Sequence, residues 1–455
     1  VLSLLSQTTP QPDVPQVWEK PIAPGLVFRE EVDRAAHQSL EALRISIKCP
    51  AIEVTPALAG TTTYKDATST GRGPLSGMIA STNALAGVNG DFFSMESGPS
   101  GDPLGITVKD GQLLSTPSHR VAFGWGPDEA VMSVANFGGT VQSGSTILRL
   151  DAINRKCAKD QITLDTPAAG IALSTAPCVA AVLKFPAATW TPSTVLRGTV
   201  QSISADQPSL PIDPNSAVLV ARGSKADILA QLKAGASVVV ALKTTGFNWE
   251  HIDNVIGGGP ILVKAGQIAV DAAQENFPPA FSEAKHPRTA IGRTANGDLW
   301  LVAVDGRQET GDGMTLAQLA QKMKDLGCTE AMNLDGGGST TMNVLGVTVN
   351  RPSDGQERAI ADGVLVLGHR AKSPVDNAKI ETPTEIKVGQ TIKATIHDER
   401  GNVPPIEIIW GCSGSCAIDQ GGTIKALRPG TATLRAYADG QILTKTIQAV
   451  APAND

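Results

Sequence analysis

The segment MNLDGGGSTTM (332–342) closes an apolar run with an acid, then three glycines, then hydroxyls. Asn333 and Asp335 supply an amide and a carboxylate. Gly336, Gly337 and Gly338 let a backbone pass close to a ligand with its N–H groups turned outward. Ser339 and Thr340 add hydroxyl donors. Such a loop suits an anionic group. It is not a nucleotide-type phosphate loop, because no Gly-Lys-Ser/Thr follows and TTMNVLGVTVN reads as a hairpin. Three other stretches gather polar groups at glycine turns. GVNGDFF (87–93) carries Asn89 and Asp91. HPRTAIG (286–292) carries His286 and Arg288. LWLVAVDGRQ (299–308) is an apolar strand that ends at Asp305 and delivers Arg307.

Taken singly, each stretch is an ordinary turn, since Asp-Gly and Asn-Gly steps make hairpins without any function. Taken together they offer the carboxylates Asp91, Asp305 and Asp335, the guanidiniums Arg288 and Arg307, and a glycine–hydroxyl cradle. Arginine grips phosphate oxygens in a bidentate fork. A carboxylate acts as acid, base or nucleophile at a sugar carbon. The set suits cleavage beside a phosphate. No GxSxG elbow is present and the histidines form no triad pattern. No metal ligands are assigned and no cofactor is called for. Asp91, Asp102 and nearby carbonyls leave room for a structural calcium ion, without EF-hand spacing.

The elements that must position these groups are mostly strands. The 455 residues include 46 glycines and 30 prolines with only 4% aromatics, a composition that turns often. Three helices are expected: 74–87, with a Met78/Thr82/Leu85/Ala86 stripe; 224–235, capped by Ser224; and 315–327, capped by Thr315 with a Leu316/Leu319/Ala320/Met323 stripe and stopped by Gly327. GITVKDGQLL…SHRVAFG (105–124) is echoed by GPILVKAGQI…KHPRTAIG (259–292), which points to a duplicated β-rich unit with its copies side by side. The fold class is α+β: a β-rich catalytic domain over 25–370 with a few helices, then a small all-β Ig-like sandwich over 386–455. Residues 1–24 read as a tail and 371–385 as a linker.

A net charge of −6 without a basic run gives no reason to expect nucleic acid, and no apolar run is long enough to span a membrane. Cys49, Cys157, Cys178, Cys328, Cys412 and Cys416 form no zinc pattern. Their even number fits three disulfides in an exported protein, with Cys412 and Cys416 bracketing one short loop; buried thiols are the plain alternative.

GVNGDFF, GDPLGITVKDGQLLS, IGGGPILVKAGQ, HPRTAIGRTANGDLWLVAVDGR and GMTLAQLAQKMKDLGCTEAMNLDGGGSTTM, in that order, resemble the phosphodiester glycosidase family over about residues 26–368. That family includes the animal lysosomal enzyme that uncovers mannose 6-phosphate, and many exported bacterial relatives. The resemblance implies hydrolysis of a sugar-1-phosphodiester. It places the site at Asn89, Asp91, Arg288, Asp305, Arg307, Asn333, Asp335 and Gly336–Ser339, with Thr340 beside them. The expected partner is a carbohydrate or sugar-phosphate polymer in a bacterial envelope or outside the cell. The alternatives are a glycosidase or lyase on a phosphate-free acidic polysaccharide, and a carbohydrate-binding envelope protein without turnover.

Overall fold

The structure is a computed structural model that describes residues 14–452, apart from 67–69, 96–99, 175, 208, 372–376, 402, 404–406 and 439. The chain is β-rich with few helices. Three of its sheets share one plan. Each has a hairpin at one edge, then a strand lent by another part of the chain, then the hairpin's own follow-on strand.

In the first unit the hairpin is Thr107–Lys109 with Gln112–Ser115, and Asn254–Gly257 lies between it and Val121–Trp125. In the second, Ile261–Lys264 and Gln267–Ile268 form the hairpin, and Cys328–Asn333 separates it from Arg288–Thr294. In the third, Met342–Val344 pairs with Val347–Thr348, and Ala86–Asn89 separates them from Asp362–Gly368. Every lent strand runs on into the next unit's hairpin: 86–89 to 107, 254–257 to 261, 328–333 to 342. The units thus form a closed ring of exchanged strands. The repeat expected over 105–124 and 259–292 is its first two members; the sequence echo is too faint in the third to show.

The lent strands Ala86–Asn89 and Asn254–Gly257 are buried throughout and Cys328–Asn333 is buried except at Thr329 and Glu330, and side chains of all three units share one core: Val88, Phe123, Ile256, Ile291, Met332, Met342 and Val364. Between Ala130–Val134 and Asn254–Gly257 the chain builds a further eight-stranded sheet, whose Val141, Leu164, Leu183, Leu219 and Val240 pack with Val108 and Ala122 of the first unit.

The third expected helix is present as Leu316–Asp325. Thr315 accepts from the Gln318 N–H in a reciprocal capping box, and Leu316, Leu319, Ala320 and Met323 are buried. The first is shorter, Leu75–Thr82; Asn83 in the left-handed region ends it, and Ala86 already belongs to a central strand. Pairing on both sides of that strand outweighs the local helical pattern. The second shrinks to one turn, Ala226–Leu229. The N–H and hydroxyl of Ser224 donate to Asp160 Oδ1 rather than capping it.

Residues 1–13 of the expected tail lie outside the described residues. Gln16–Ala23 is not tail but a strand on Leu26–Asp33, since its partner offers an open edge. Part of the expected linker, 372–376, is also outside the description, and the C-terminal β-module starts with the strand Lys379–Glu381. That module packs Ile396, Trp410, Leu434 and Ile447 in its own core.

All six cysteines are free. The expected disulfides are not formed, because the thiols face other groups: Cys157 Sγ lies 3.3 Å from the Gln161 carbonyl and Cys412 Sγ 3.2 Å from the Cys416 carbonyl. Burial pushes the Cys157 thiol up to about 11 and those of Cys328 and Cys412 to about 12. No described helix is long and apolar enough to cross a membrane.

Candidate active site

The segments leaving the three lent strands meet one another. The Asp335 N–H donates to the Gly90 carbonyl at 3.0 Å, and Asn89 Nδ2 donates to the Asp335 carbonyl at 2.7 Å. The Gly259 N–H donates to the Asn333 carbonyl at 2.8 Å. Residues distant in sequence are therefore bonded at the hub of the ring.

Two of the expected carboxylates stand there. Asp91 is 3% exposed, with Oδ1 accepting from the Phe92 N–H at 2.7 Å and Oδ2 from the Gly105 N–H at 2.6 Å. Burial lifts its pKa to about 7 against those bonds, and the Asp335 charge adds to the rise. Asp335 is half-buried, with its carboxyl raised to about 6 by burial, against a hydrogen bond from Ser339 and the charge of Arg358. A third carboxylate, Asp362, was missed. Its Oδ1 accepts from the Asp91 N–H at 2.8 Å and its Oδ2 from the Thr107 hydroxyl at 3.2 Å; burial and Asp91 raise its pKa. Its signal was the block RAIADGVLVLG, where Asp362 opens the third unit's follow-on strand as Arg288 opens the second's.

Asn89 and Asn333 act within this hub. Asn89 Oδ1 accepts from the Thr289 hydroxyl at 2.7 Å and the Thr341 N–H at 3.1 Å. Asn333 Nδ2 donates to the carbonyls of Gly259 (2.9 Å) and Leu334 (2.6 Å). Thr340 lies 3.3 Å from the same Thr289 hydroxyl. These are orienting bonds inside the protein.

The glycine loop is held from both sides. Gly337 has a φ of 61°, and a methyl group on it would lie 3.3 Å from Arg307 Nη1. A methyl on Gly338 would fall 2.0 Å from Arg358 Nη2. That guanidinium pairs with Asp354 at 2.8 Å and lies 3.4 Å from the Ser339 hydroxyl. The outward-turned amides expected here are largely spent. The N–H groups of Gly337, Ser339 and Thr340 donate to the carbonyls of Pro287, Gly336 and Gly337, and that of Gly336 to the Asp335 carboxyl. A tight 3-10 turn over Gly337–Ser339 consumes donors that an open loop would present. The positive charge flanking this turn comes from Arg307 and Arg358.

Arg307 leans on His286, whose Nδ1 accepts from Nη2 at 3.0 Å. Burial and two guanidiniums, Arg307 and Arg288, hold the imidazole below its usual pKa, so it stays neutral and able to accept. Arg288 is occupied otherwise. It is 1% exposed, and donates from Nε to the Met314 carbonyl and from Nη2 to those of Phe281 and Ala284, at 2.7–2.9 Å. Three converging carbonyls match the guanidinium fork and make it a brace.

Asp305 is not brought to the hub. Its Oδ1 accepts from the Arg351 N–H at 2.9 Å and from Asn350 at 3.3 Å, and burial raises its pKa to about 6. It also raises the pKa values of Glu41 and Glu30, in a second buried acidic group beside the C-terminal module. Asn350 links it to the glycine loop by donating to the Thr340 carbonyl at 3.1 Å. For calcium, both Asp91 oxygens are taken by amides and Asp102 turns to Arg155 at 3.8 Å. Among the described residues no group of three or more His, Cys, Asp or Glu is arranged to hold a metal.

The family model "Phosphodiester glycosidase" matches residues 192–367. Residues 192–367 of the chain are thus similar to the phosphodiester glycosidases. A stretch of 82 residues is 42% identical to an SPbeta prophage-derived uncharacterized protein of Bacillus subtilis (strain 168), covering 18% of this chain and 13% of that one. Another, of 102 residues, is 34% identical to the mouse N-acetylglucosamine-1-phosphodiester alpha-N-acetylglucosaminidase, covering 22% and 20%. The matched stretches thus span a fifth or less of these relatives' lengths. Among solved structures, a hypothetical protein from Synechocystis superposes with a TM-score of 0.65 at 24% identity, covering 78% of this chain and 64% of that one. A Burkholderia pseudomallei K96243 protein named as exported gives 0.62 at 24%, covering 74% of each. These two share the fold.

The phosphodiester glycosidase match takes in Asp335, Arg307, Arg358 and Asp362 but begins after Asn89 and Asp91. The lent strand Ala86–Asn89 returns those two to the same hub. The mouse relative, and a cattle relative 40% identical over 67 residues (15% of this chain and 12% of that one), are both named N-acetylglucosamine-1-phosphodiester alpha-N-acetylglucosaminidase.

Proposed function

We propose that the protein is an exported hydrolase that cleaves a sugar-1-phosphodiester, or a closely related glycosidic linkage, in a bacterial envelope or extracellular glycan. The observation that carries this reading is the meeting of Asp91 and Asp335 with the turn that touches Arg307 and Arg358. The likeness to a Burkholderia protein named as exported supports action outside the cytoplasm.

In this reading Arg307 and Arg358 hold the phosphate oxygens, one on each side of Gly337 and Gly338. Asp335, the more exposed carboxylate, faces the anomeric carbon as base or nucleophile. Asp91, the higher of the two in pKa, keeps a proton near neutrality and serves as the acid partner. Asn89, Asn333 and Thr340 fix the carboxylate segment; His286 aims Arg307; Arg288 braces the strand that carries Thr289. Asp305 acts from a distance through Asn350. A phosphodiester leaves readily, so positioning and charge stabilisation carry most of the rate.

The test is hydrolysis of a chromogenic sugar-1-phosphodiester. Asp335→Asn and Arg307→Ala should each lower kcat/KM by about a hundredfold or more, because each removes a transition-state contact. Equal turnover by the wild type and both variants would discard the site. Turnover of a plain aryl glycoside with none of the diester would move the reading to a phosphate-free glycan.

A further inference from the structure

Arg307 faces two ways. On one side its guanidinium reaches the Gly337 turn; on the other it opens onto a cavity of about 870 Å³ between the catalytic fold and the C-terminal module. That volume accommodates several sugar residues. Both bodies supply its walls. The catalytic side brings Lys285, Arg307, Glu309, Asp312 and Arg351, and the module brings Arg428 beside Cys412–Gly414. Four cations thus face two carboxylates in a chain whose net charge is −6. The excess is local, and in a concave wall it concentrates anions.

The cavity's geometry is pinned. Arg351 donates from Nη2 to the Gly414 carbonyl at 3.2 Å and from Nη1 to that of Cys416, while its Nε holds Gln308 at 3.1 Å. Arg428 pairs with Glu309 across the gap at 2.7 Å, and Lys285 with Asp312 at 3.1 Å. Those pairs are 40–55% exposed, so solvent weakens them and an incoming anion can compete for the cations. Arg307 meets an imidazole there rather than a carboxylate.

We infer that this cavity binds the chain of an anionic glycan on the phosphate side of the scissile bond, and that the C-terminal module is one wall of the substrate site. The inference rests on the hydrolase reading for the direction of the chain, but its binding does not. The full chain is titrated with linear inorganic polyphosphate as the probe, with neutral dextran as comparison, at low and at physiological salt. The wild type should bind polyphosphate, lose affinity as salt rises and ignore dextran. A Lys285→Glu/Arg428→Glu double variant should bind at least about tenfold more weakly. The Lys285→Gln/Arg428→Gln pair should fall in between, and it decides the matter if charge reversal lowers the melting temperature. Undiminished affinity in the glutamine pair, or equal binding of polyphosphate and dextran by the wild type, overturns the inference. Failure of the wild type to hydrolyse a small sugar phosphodiester overturns the active-site reading alone, since polyphosphate binding is read without turnover.

Discussion

Asp91 occupies a slot that only glycines make. A methyl on Gly257 would lie 2.3 Å from its Oδ2, and one on Gly105 would lie 2.4 Å from the same atom. Gly257→Ala should therefore cost about 1–3 kcal/mol in urea unfolding, as overpacked sites do. It should also lower kcat/KM on the diester; a variant as stable and as active as the wild type would show that the carboxyl shifts without consequence. The proton inventory gives a second expectation. If Asp335 must be ionised and Asp91 protonated, kcat/KM rises with pH through about 6 and falls through about 7. A narrow bell is expected, and a flat profile from pH 5 to 8 would remove one of the two from the chemistry. The types of these residues were readable in sequence, and so was their place at glycine turns. Their hydrogen-bond partners were not. Arg288 and Asp305 look like Arg307 and Asp335 in the linear pattern, yet one is spent on carbonyls and the other faces Glu30 and Glu41.

Among the elements, the helix Leu316–Asp325 was legible from end to end, because its cap, stripe and stop are all local signals. Its apolar face packs under the second unit's sheet, beside Trp300 and Ala331. Leu319→Ala should destabilise by about 2–5 kcal/mol and Thr315→Ala by about 1 kcal/mol, measured by denaturant unfolding. A negligible effect at Leu319 would mean that this face is not in the cooperative core. The helix expected over 74–87 fails at its end for the opposite reason. Leu85 and Ala86 carry helical spacing, but Ala86–Asn89 is clamped between strands from residues 342–344 and 362–368. Long-range pairing of that kind leaves no mark within a short window.

At the scale of the molecule, acids gather in two buried groups, one at the hub of the ring and one beside the C-terminal module. Glu30 is pushed up to about 8, Asp91 to about 7, and Asp305 and Asp335 to about 6, chiefly by burial, from ordinary values of 4.5 for Glu and 3.8 for Asp. Below about pH 4 folded and unfolded chains both hold these protons. As pH rises, the unfolded chain releases them first, so the stability they contribute is lost between about 4 and 8. The melting temperature should accordingly be higher at pH 5 than at pH 8. Glu30 Oε2 accepts from the Gln420 N–H at 2.7 Å, joining the catalytic fold to the module. Glu30→Gln keeps that acceptor without the charge, and should flatten the pH dependence. A melting temperature that climbs from pH 5 to 8 would mean that these acids are ionised and solvated in the folded chain.

The sequence by itself determined the β-rich character, the best-capped helix, two of the three repeating units and most of the residue types that gather at the hub. Those are properties of short windows: periodicity, caps and turn chemistry. Only the tertiary structure decided the third unit, the entry of Asp362 and Arg358, the bracing position of Arg288 and the separation of Asp305 from Asp91 and Asp335. Each depends on how the folded chain brings segments together, from the Arg288–Met314 contact to the meeting of Asp362 with Asp91 across 271 residues. The free energy that settles such contacts is spread over a buried core, not over neighbouring residues in the chain.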